Sequence, residues 1–176
     1  MSTPPLENEK HETIREKALE LLSLREHSRK ELLEKLLRRK FPKELAETVV
    51  GELCEAGILD DARFAVNLVR SRLRNKPCGE RGLVSLLRAK GITPEDSKTL
   101  VAEVMREEGA SEEEMARMIA GAKLKGKVAD EKSLVRVGNL LLRRGFDARI
   151  VRKILWERGR HDLPGEMEEE FEELRD

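Results

Sequence analysis

The chain has no tyrosine, one tryptophan and four phenylalanines in 176 residues, so aromatics make up only 3% of it. Single-stranded nucleic acid is commonly held on aromatic side chains. Here the few aromatics fall at positions expected in the core or the C-terminal segment, so platforms for base stacking are not expected. The two cysteines, Cys54 and Cys78, form no Cys-x-x-Cys pair. That argues against a disulfide framework and suits a reducing cytoplasm. The three histidines, His11, His27 and His161, stand at no ligand spacing from a cysteine or carboxylate, so neither a metal nor another cofactor is expected. No apolar run approaches the ~18 residues a membrane span requires. The opening Met1-Ser2-Thr3-Pro4-Pro5 offers neither the basic nor the apolar part of a secretory signal. There is no Gly-x-x-x-x-Gly-Lys-Ser/Thr loop, and the glycines stand singly at helix ends. With no catalytic constellation in view, the chain does not read as an enzyme.

Charge is what the chain has in excess. Asp, Glu, Lys and Arg make up 40% of it, against roughly 25% in an average globular protein. The formal net charge of zero conceals a division. Residues 160–176 hold eight acids and two bases, a balance of −6, so the preceding residues carry +6. A basic body with an acidic tail is the better description.

Apolar spacing predicts helices throughout and no strand. Residues 1–8 are expected to be disordered. A helix from about Glu9 to Arg25 carries Ile14, Ala18, Leu21, Leu22 and Leu24. Ser28 with Glu31 forms a capping box for a second helix to about Lys40, with Leu32, Leu33, Leu36 and Leu37. Pro42 precedes a third, through Leu45, Val49, Val50, Leu53 and Cys54 to Gly57. The pattern then recurs twice. Helices are expected from Asp60 to Asn75, from Glu80 to Lys90, and from Thr93 to Gly109. The last three start at Ser111 (capping box with Glu114, core positions Met115, Met118 and Ile119, fading near Gly121), near Asp130, and after Gly145 (Ile150, Val151, Ile154, Leu155, Trp156, to Gly159).

Three sets of positions hold one register: Leu36, Leu87 and Leu141; Phe41, Ile92 and Phe146; Val49, Leu100 and Ile154, each spaced 51 and then 54 residues apart. A unit of this size buries little by itself, so neighbours must stack. The expected fold is all-α: an elongated curved array of three tandem three-helix repeats, 9–59, 60–109 and 110–159, followed by an acidic tail at 160–176. That tail places Met167, Phe171 and Leu174 at i, i+4 and i+7. It would either solubilise the chain or fold back on the basic body as an autoinhibitory element.

The most informative stretch runs from Gly57 to Ile92. Gly57 is suited to close a helix, Asp60 to cap the next, and Asp61 to load its first turn with negative charge. Phe64, Ala65, Leu68 and Val69 share one arc of that helix, while Arg63, Arg70 and Arg74 share the other. Arg72 lies inside the apolar arc, where its stem would cover core and its head would pair with a carboxylate such as Asp61, the alternative being a direct contact with a partner. Gly57, Asp60, Asp61, Phe64, Arg72 and Gly91 are therefore read as structural. Between Arg63 and Lys90 stand eight bases and one acid, and between Arg117 and Arg160 thirteen bases and four acids. Two basic runs in equivalent repeats suggest a stripe that attracts phosphates or an acidic protein surface. Its candidates are Arg63, Arg70, Arg74, Lys76, Arg81, Arg88, Lys90, Lys123, Lys125, Lys127, Arg143 and Arg144.

Gly57-x-Leu59-Asp60-Asp61-x-Arg63-Phe64-Ala65, the arginine-rich helix after it, Gly79, and Leu86-Leu87-Arg88-Ala89-Lys90-Gly91-Ile92 together resemble the RecX family, bacterial regulators of the RecA recombinase. The resemblance extends from about Arg15 to about Arg158. Ile58 departs from it, standing where the family often has an aromatic residue. The resemblance implies a cytoplasmic, monomeric protein of DNA repair, recombination and the SOS response. It would lie in the groove of the RecA–DNA filament and limit filament growth, ATP hydrolysis and strand exchange. Binding to single- and double-stranded DNA would be non-specific and salt-sensitive. Two other readings stay open: a sequence-independent DNA-binding helical module, and a helical scaffold without nucleic acid.

Overall fold

The structure, a computed structural model, describes residues 5–124 and 130–159. The acidic tail, with Met167, Phe171 and Leu174, lies outside the described residues, as do Lys125 and Lys127. Among the described residues the chain is all-α, with nine helices: α1 (Pro5–Leu24), α2 (Arg29–Arg38), α3 (Lys43–Glu55), α4 (Asp61–Asn75), α5 (Glu80–Ala89), α6 (Pro94–Glu107), α7 (Glu112–Leu124), α8 (Glu131–Arg143) and α9 (Ala148–Gly159). Two bounds correct the sequence reading. α1 starts at Pro5, so residues 5–8 are helical, a proline being tolerated in a first turn that needs no N–H from it. α7 runs past Gly121 because Leu124, 6% exposed, is buried in the core that α7 helps to build.

Local chemistry fixes most of the ends. Ser28 Oγ accepts the Glu31 N–H at 3.1 Å, and Asp60 Oδ1 accepts those of Ala62 and Arg63 at 2.9 and 3.0 Å. Thr93 Oγ1 caps α6 through Asp96 N at 3.1 Å, and Ser111 Oγ caps α7 through Glu114 N at 3.3 Å. Asp130 Oδ1 caps α8 through Ser133 N at 2.9 Å. Each satisfies a donor that the helix itself cannot. At the end of α3, Gly57 adopts φ +67°, and Ile58 N reaches back to the Leu53 carbonyl at 3.0 Å, the expected left-handed closure.

Two compact units divide the chain. The first takes the described residues through Leu68 and then Leu87–Ser97; the second takes Val69–Leu86 and the described residues from Lys98 onward. In the first, α1, α2 and α3 pack on one another around Ile14, Ala18, Leu21, Leu32, Leu36, Ala46, Val49, Val50 and Leu53, with Leu59 added from the turn after α3. In the second, α7, α8 and α9 enclose Met115, Ile119, Leu124, Leu134, Val137, Leu141, Phe146, Val151, Ile154 and Leu155. Leu36, Leu87 and Leu141, aligned by sequence, are all 0% exposed. Three positions expected in the core are not there: Leu24 is 76% exposed, and Met118 and Trp156 are each 60% exposed.

Gly51 lies in the interior of α3, and a Cβ built there meets nothing within 4 Å. Gly51→Ala should therefore raise the unfolding free energy by about 0.5–1 kcal/mol, by removing backbone freedom from the unfolded chain. A urea midpoint below that of the parent would contradict this reading of α3.

Candidate functional site

One joint occurs twice, once in each unit. In the first unit Ser28 Oγ donates to the Lys90 carbonyl at 2.7 Å. Arg29 N donates to Asp61 Oδ1 at 2.7 Å. In the second, Gly79 N donates to the Arg144 carbonyl at 3.0 Å, and the Glu80 N–H donates to the Glu112 carboxylate. Ser28 and Gly79, Arg29 and Glu80, and Asp61 and Glu112 are each 51 residues apart, while Lys90 and Arg144 are 54 apart. So the start of one repeat's second helix is held by a backbone carbonyl and a carboxylate of the following repeat. Hydrogen bonds to a charged acceptor contribute about 1.5–3 kcal/mol each. This is how Asp61 is used, and the expectation that it takes the Arg72 head is corrected accordingly.

The turn after each second helix needs a left-handed residue. Lys40, Gly91 and Gly145 fill that place in the three repeats with φ of 63°, 92° and 76°. Close approach explains why only the first is not glycine. A Cβ on Gly91 would lie 2.9 Å from Lys30 Cβ, and one on Gly145 would lie 2.1 Å from Gly82 N. A Cβ on Gly82 would in turn meet the Arg144 carbonyl oxygen at 2.3 Å. Among the described residues no repeat precedes that of Lys40, which keeps its side chain.

The two joints differ in charge. In the first, Glu31 Oε1 takes Lys90 Nζ at 2.5 Å and its other oxygen takes Arg25 at 3.3 Å. The Glu31 side chain therefore does not return to the Ser28 N–H, and only half of the expected capping box forms. Burial alone would push the Glu31 pKa up, but hydrogen bonds from Lys90 and Arg25 and their positive charge bring it down to about 2. Because this lies below the usual 4.5, the stabilisation is complete above pH ~4.5 and is lost as the pH falls through about 2. Glu31→Gln should reduce the unfolding free energy at pH 7 by about 2 kcal/mol. The difference from the parent should shrink steadily below pH ~4.5 in urea titrations, and parallel stability curves would refute the pairing. In the second joint, burial of Glu112 pushes its pKa above the usual range, opposed by the Asp147 and Glu80 N–H groups.

The candidate stripe divides into paired and unpaired bases. Arg63 sits 3.4 Å from Glu26 and donates to the Ile58 carbonyl. Arg70 Nη2 reaches Glu107 at 3.0 Å. Its Nε lies 3.0 Å from Glu108 Oε1, near enough for an ion pair but not aligned for a hydrogen bond. Arg74 reaches Glu108 at 3.3 Å, and Lys90 is committed to Glu31. Lys76, Arg81, Arg88, Lys123 and Arg143 are exposed, Arg144 is half-buried, and none of the six has a carboxylate partner among the described residues. Five of these, all but Arg88, belong to the second unit. Arg81 and Arg144 are brought together there by the glycine crossing, since the Arg144 carbonyl packs against Gly82 and the Arg81 carbonyl carbon is 3.0 Å from the Gly145 Cβ position. Arg72 is half-buried, and its charge lies close enough to Cys78 to favour the thiolate, although burial raises that thiol's pKa overall. Phe64 is buried at 6% exposure.

Sequence reasoning missed two histidine environments. His11 Nε2 lies 3.0 Å from Glu52 Oε1, a pairing across 41 residues that local spacing could not reveal. His27 is 2% exposed, and its Nδ1 is 2.9 Å from the Arg25 carbonyl. Only a protonated Nδ1 can donate there, and burial lowers the pKa, so the ring is neutral at pH 7. Among the described residues no group of His, Cys, Asp and Glu could hold a metal ion, and no helix is long and apolar enough to cross a membrane.

Comparison with known proteins gives this arrangement a family. The profile described as "RecX, first three-helix domain" matches residues 15–53, and "RecX, second three-helix domain" matches residues 60–99. The regulatory protein RecX of Amycolatopsis mediterranei (strain U-32) is 34% identical over 148 residues, spanning 81% of this chain and 83% of the relative. The chain belongs to the RecX family. The regulatory protein RecX of Chlorobium limicola is 37% identical over 138 residues, covering 78% of this chain and 84% of its own. In fold, the chain is similar to a crystal structure of regulatory protein RecX, with a TM-score of 0.71 at 20% identity over 85% of this chain and 73% of that one. It is also similar to RecX from Lactobacillus salivarius, with a TM-score of 0.63 at 19% identity over 86% and 97%. RecX-family proteins are regulators, and DNA repair and recombination are the processes that go with the family.

Proposed function

We propose that this chain regulates the RecA recombinase in the bacterial cytoplasm, lying in the groove of the RecA–DNA filament and limiting its growth, its ATP hydrolysis and strand exchange. The observation that carries this reading is the set of bases in the second unit, Lys76, Arg81, Lys123, Arg143 and Arg144, which no carboxylate among the described residues neutralises. Unpaired cations on helix ends attract phosphates or acidic protein surfaces and speed encounter with them. Repeated joints give a helical protein a repeated surface, which suits a helical polymer of identical protomers. The chain would act as a monomer, with no enzymatic step.

The test is RecA's single-strand-dependent ATP hydrolysis with this protein titrated in. Inhibition well below one molecule per RecA protomer is expected. Inhibition only when the protein saturates the DNA would point to a sequence-independent DNA-binding module competing for phosphates. Absence of any effect would leave the scaffold reading.

A further inference from the structure

Trp156 is the chain's one tryptophan, and it is 60% exposed on α9. At 100° per residue, Arg149, Arg152, Lys153 and Trp156 fall within one outer arc of that helix, opposite Val151, Ile154 and Leu155, which are all 0% exposed. The charges around the indole are not equivalent. Lys153 is tied to Glu113 at 3.0 Å. The acid beside the indole, Glu157, is held by both Arg117 Nη1 and, at 2.8 Å, Arg117 Nη2. Those bonds keep the Glu157 carboxyl below the usual carboxylate range. Asp147 caps the start of α9, its Oδ1 accepting Arg149 N at 2.8 Å. Arg149 and Arg152 are exposed and have no carboxylate partner among the described residues.

We infer that the outer face of α9 is a binding site for single-stranded nucleic acid, with one base stacked on Trp156 and the flanking phosphates held by Arg149 and Arg152. A large apolar ring left in water beside two uncompensated guanidiniums matches the two halves of a nucleotide, a flat base and an anionic phosphate. An unpaired strand can offer a base face to the indole, whereas a duplex keeps its bases stacked on one another. Such a site shows little sequence preference and strong salt dependence. It needs no RecA, so it stands or falls apart from the filament reading.

Because the chain has no tyrosine and no second tryptophan, its tryptophan emission reports on this position alone. A short oligothymidylate added to the full chain should quench that emission, and a duplex of the same length should quench it less. With labelled oligothymidylate followed by anisotropy, Trp156→Ala should weaken binding by about fivefold or more with its salt dependence unchanged, and Trp156→Phe should retain most of the affinity. Arg149→Glu with Arg152→Glu should weaken binding about tenfold or more and flatten the salt dependence. Oligothymidylate that binds without changing the emission would overturn the site, as would equal quenching by polyphosphate, which has no bases. An emission that shifts when residues 160–176 are removed, but not when oligothymidylate is added, would also overturn it, giving the platform to the acidic C-terminal segment.

Discussion

Gly145→Ala is expected to lower the unfolding free energy by about 3–5 kcal/mol. Two terms add. Alanine at φ +76° costs about 1–2 kcal/mol in the left-handed region. The new methyl would then lie 2.1 Å from Gly82 N and 2.5 Å from Gly82 Cα, which are backbone atoms and cannot rotate away. Relief requires moving the start of α5 from the α8–α9 turn, and with it the Gly79 N to Arg144 carbonyl bond and the Glu80 N–H to Glu112. Gly57→Ala is the control. It sits at φ +67° with nothing within 4 Å of a built Cβ, so only the conformational term applies and the loss should be about 1–2 kcal/mol. Urea denaturation of both variants separates the terms. Equal losses would mean that the second joint has room, and that the close crossing of α5 over the α8–α9 turn is not what holds it.

Much of the fold was legible because much of it is local. Ser28, Asp60, Thr93 and Ser111 cap helices within three residues of themselves, and the 51- and 54-residue register predicted three buried leucines correctly. What escaped was non-local. The Glu31 carboxylate could go to its own helix start or to Lys90, 59 residues away, and no spacing rule decides between them. The role of Gly79 and Gly82 was invisible for the same reason, since a glycine after a break looks like punctuation until another backbone is seen against it. Leu24 and Trp156 were assigned to the core by periodicity, yet they sit near the ends of α1 and α9 and are 76% and 60% exposed. The stripe suffered most. Arg70 and Arg74 lie on the charged arc of α4 as expected, but Glu107 at the end of α6 and Glu108 just after it come to meet them across 34 to 38 residues. A run of like charge in sequence therefore overstated the free charge in space, and the unpaired positions could be identified only once the helices were placed.

That distinction determines which reversal should weaken the proposed regulation most. Arg70→Glu with Arg74→Glu sets two new carboxylates against Glu107 and Glu108, so its main effect is like-charge repulsion between α4 and α6. Arg70 and Arg74 are 39% and 70% exposed, and solvent screening keeps exposed pairs to about 1 kcal/mol or less each. A modest loss of stability is expected, with any loss of activity partly secondary to it. Arg81→Glu, Lys123→Glu and Arg143→Glu break no ion pair among the described residues and change the second unit's charge by −6. Stability should be nearly unchanged, within about 0.5 kcal/mol per site as for other surface positions. If these bases face filament phosphates, the concentration needed to inhibit RecA's ATP hydrolysis should rise by about 10- to 100-fold. The slope of log affinity against log salt should also fall by about 0.9 for each phosphate that is no longer neutralised. A reduced affinity with an unchanged salt slope would instead place the bases on an acidic face of RecA itself, where an ion pair at a wet rim is screened but displaces few condensed counterions. Full inhibition by the triple reversal would remove the basic face from the mechanism altogether, leaving the repeat's other surfaces to carry it.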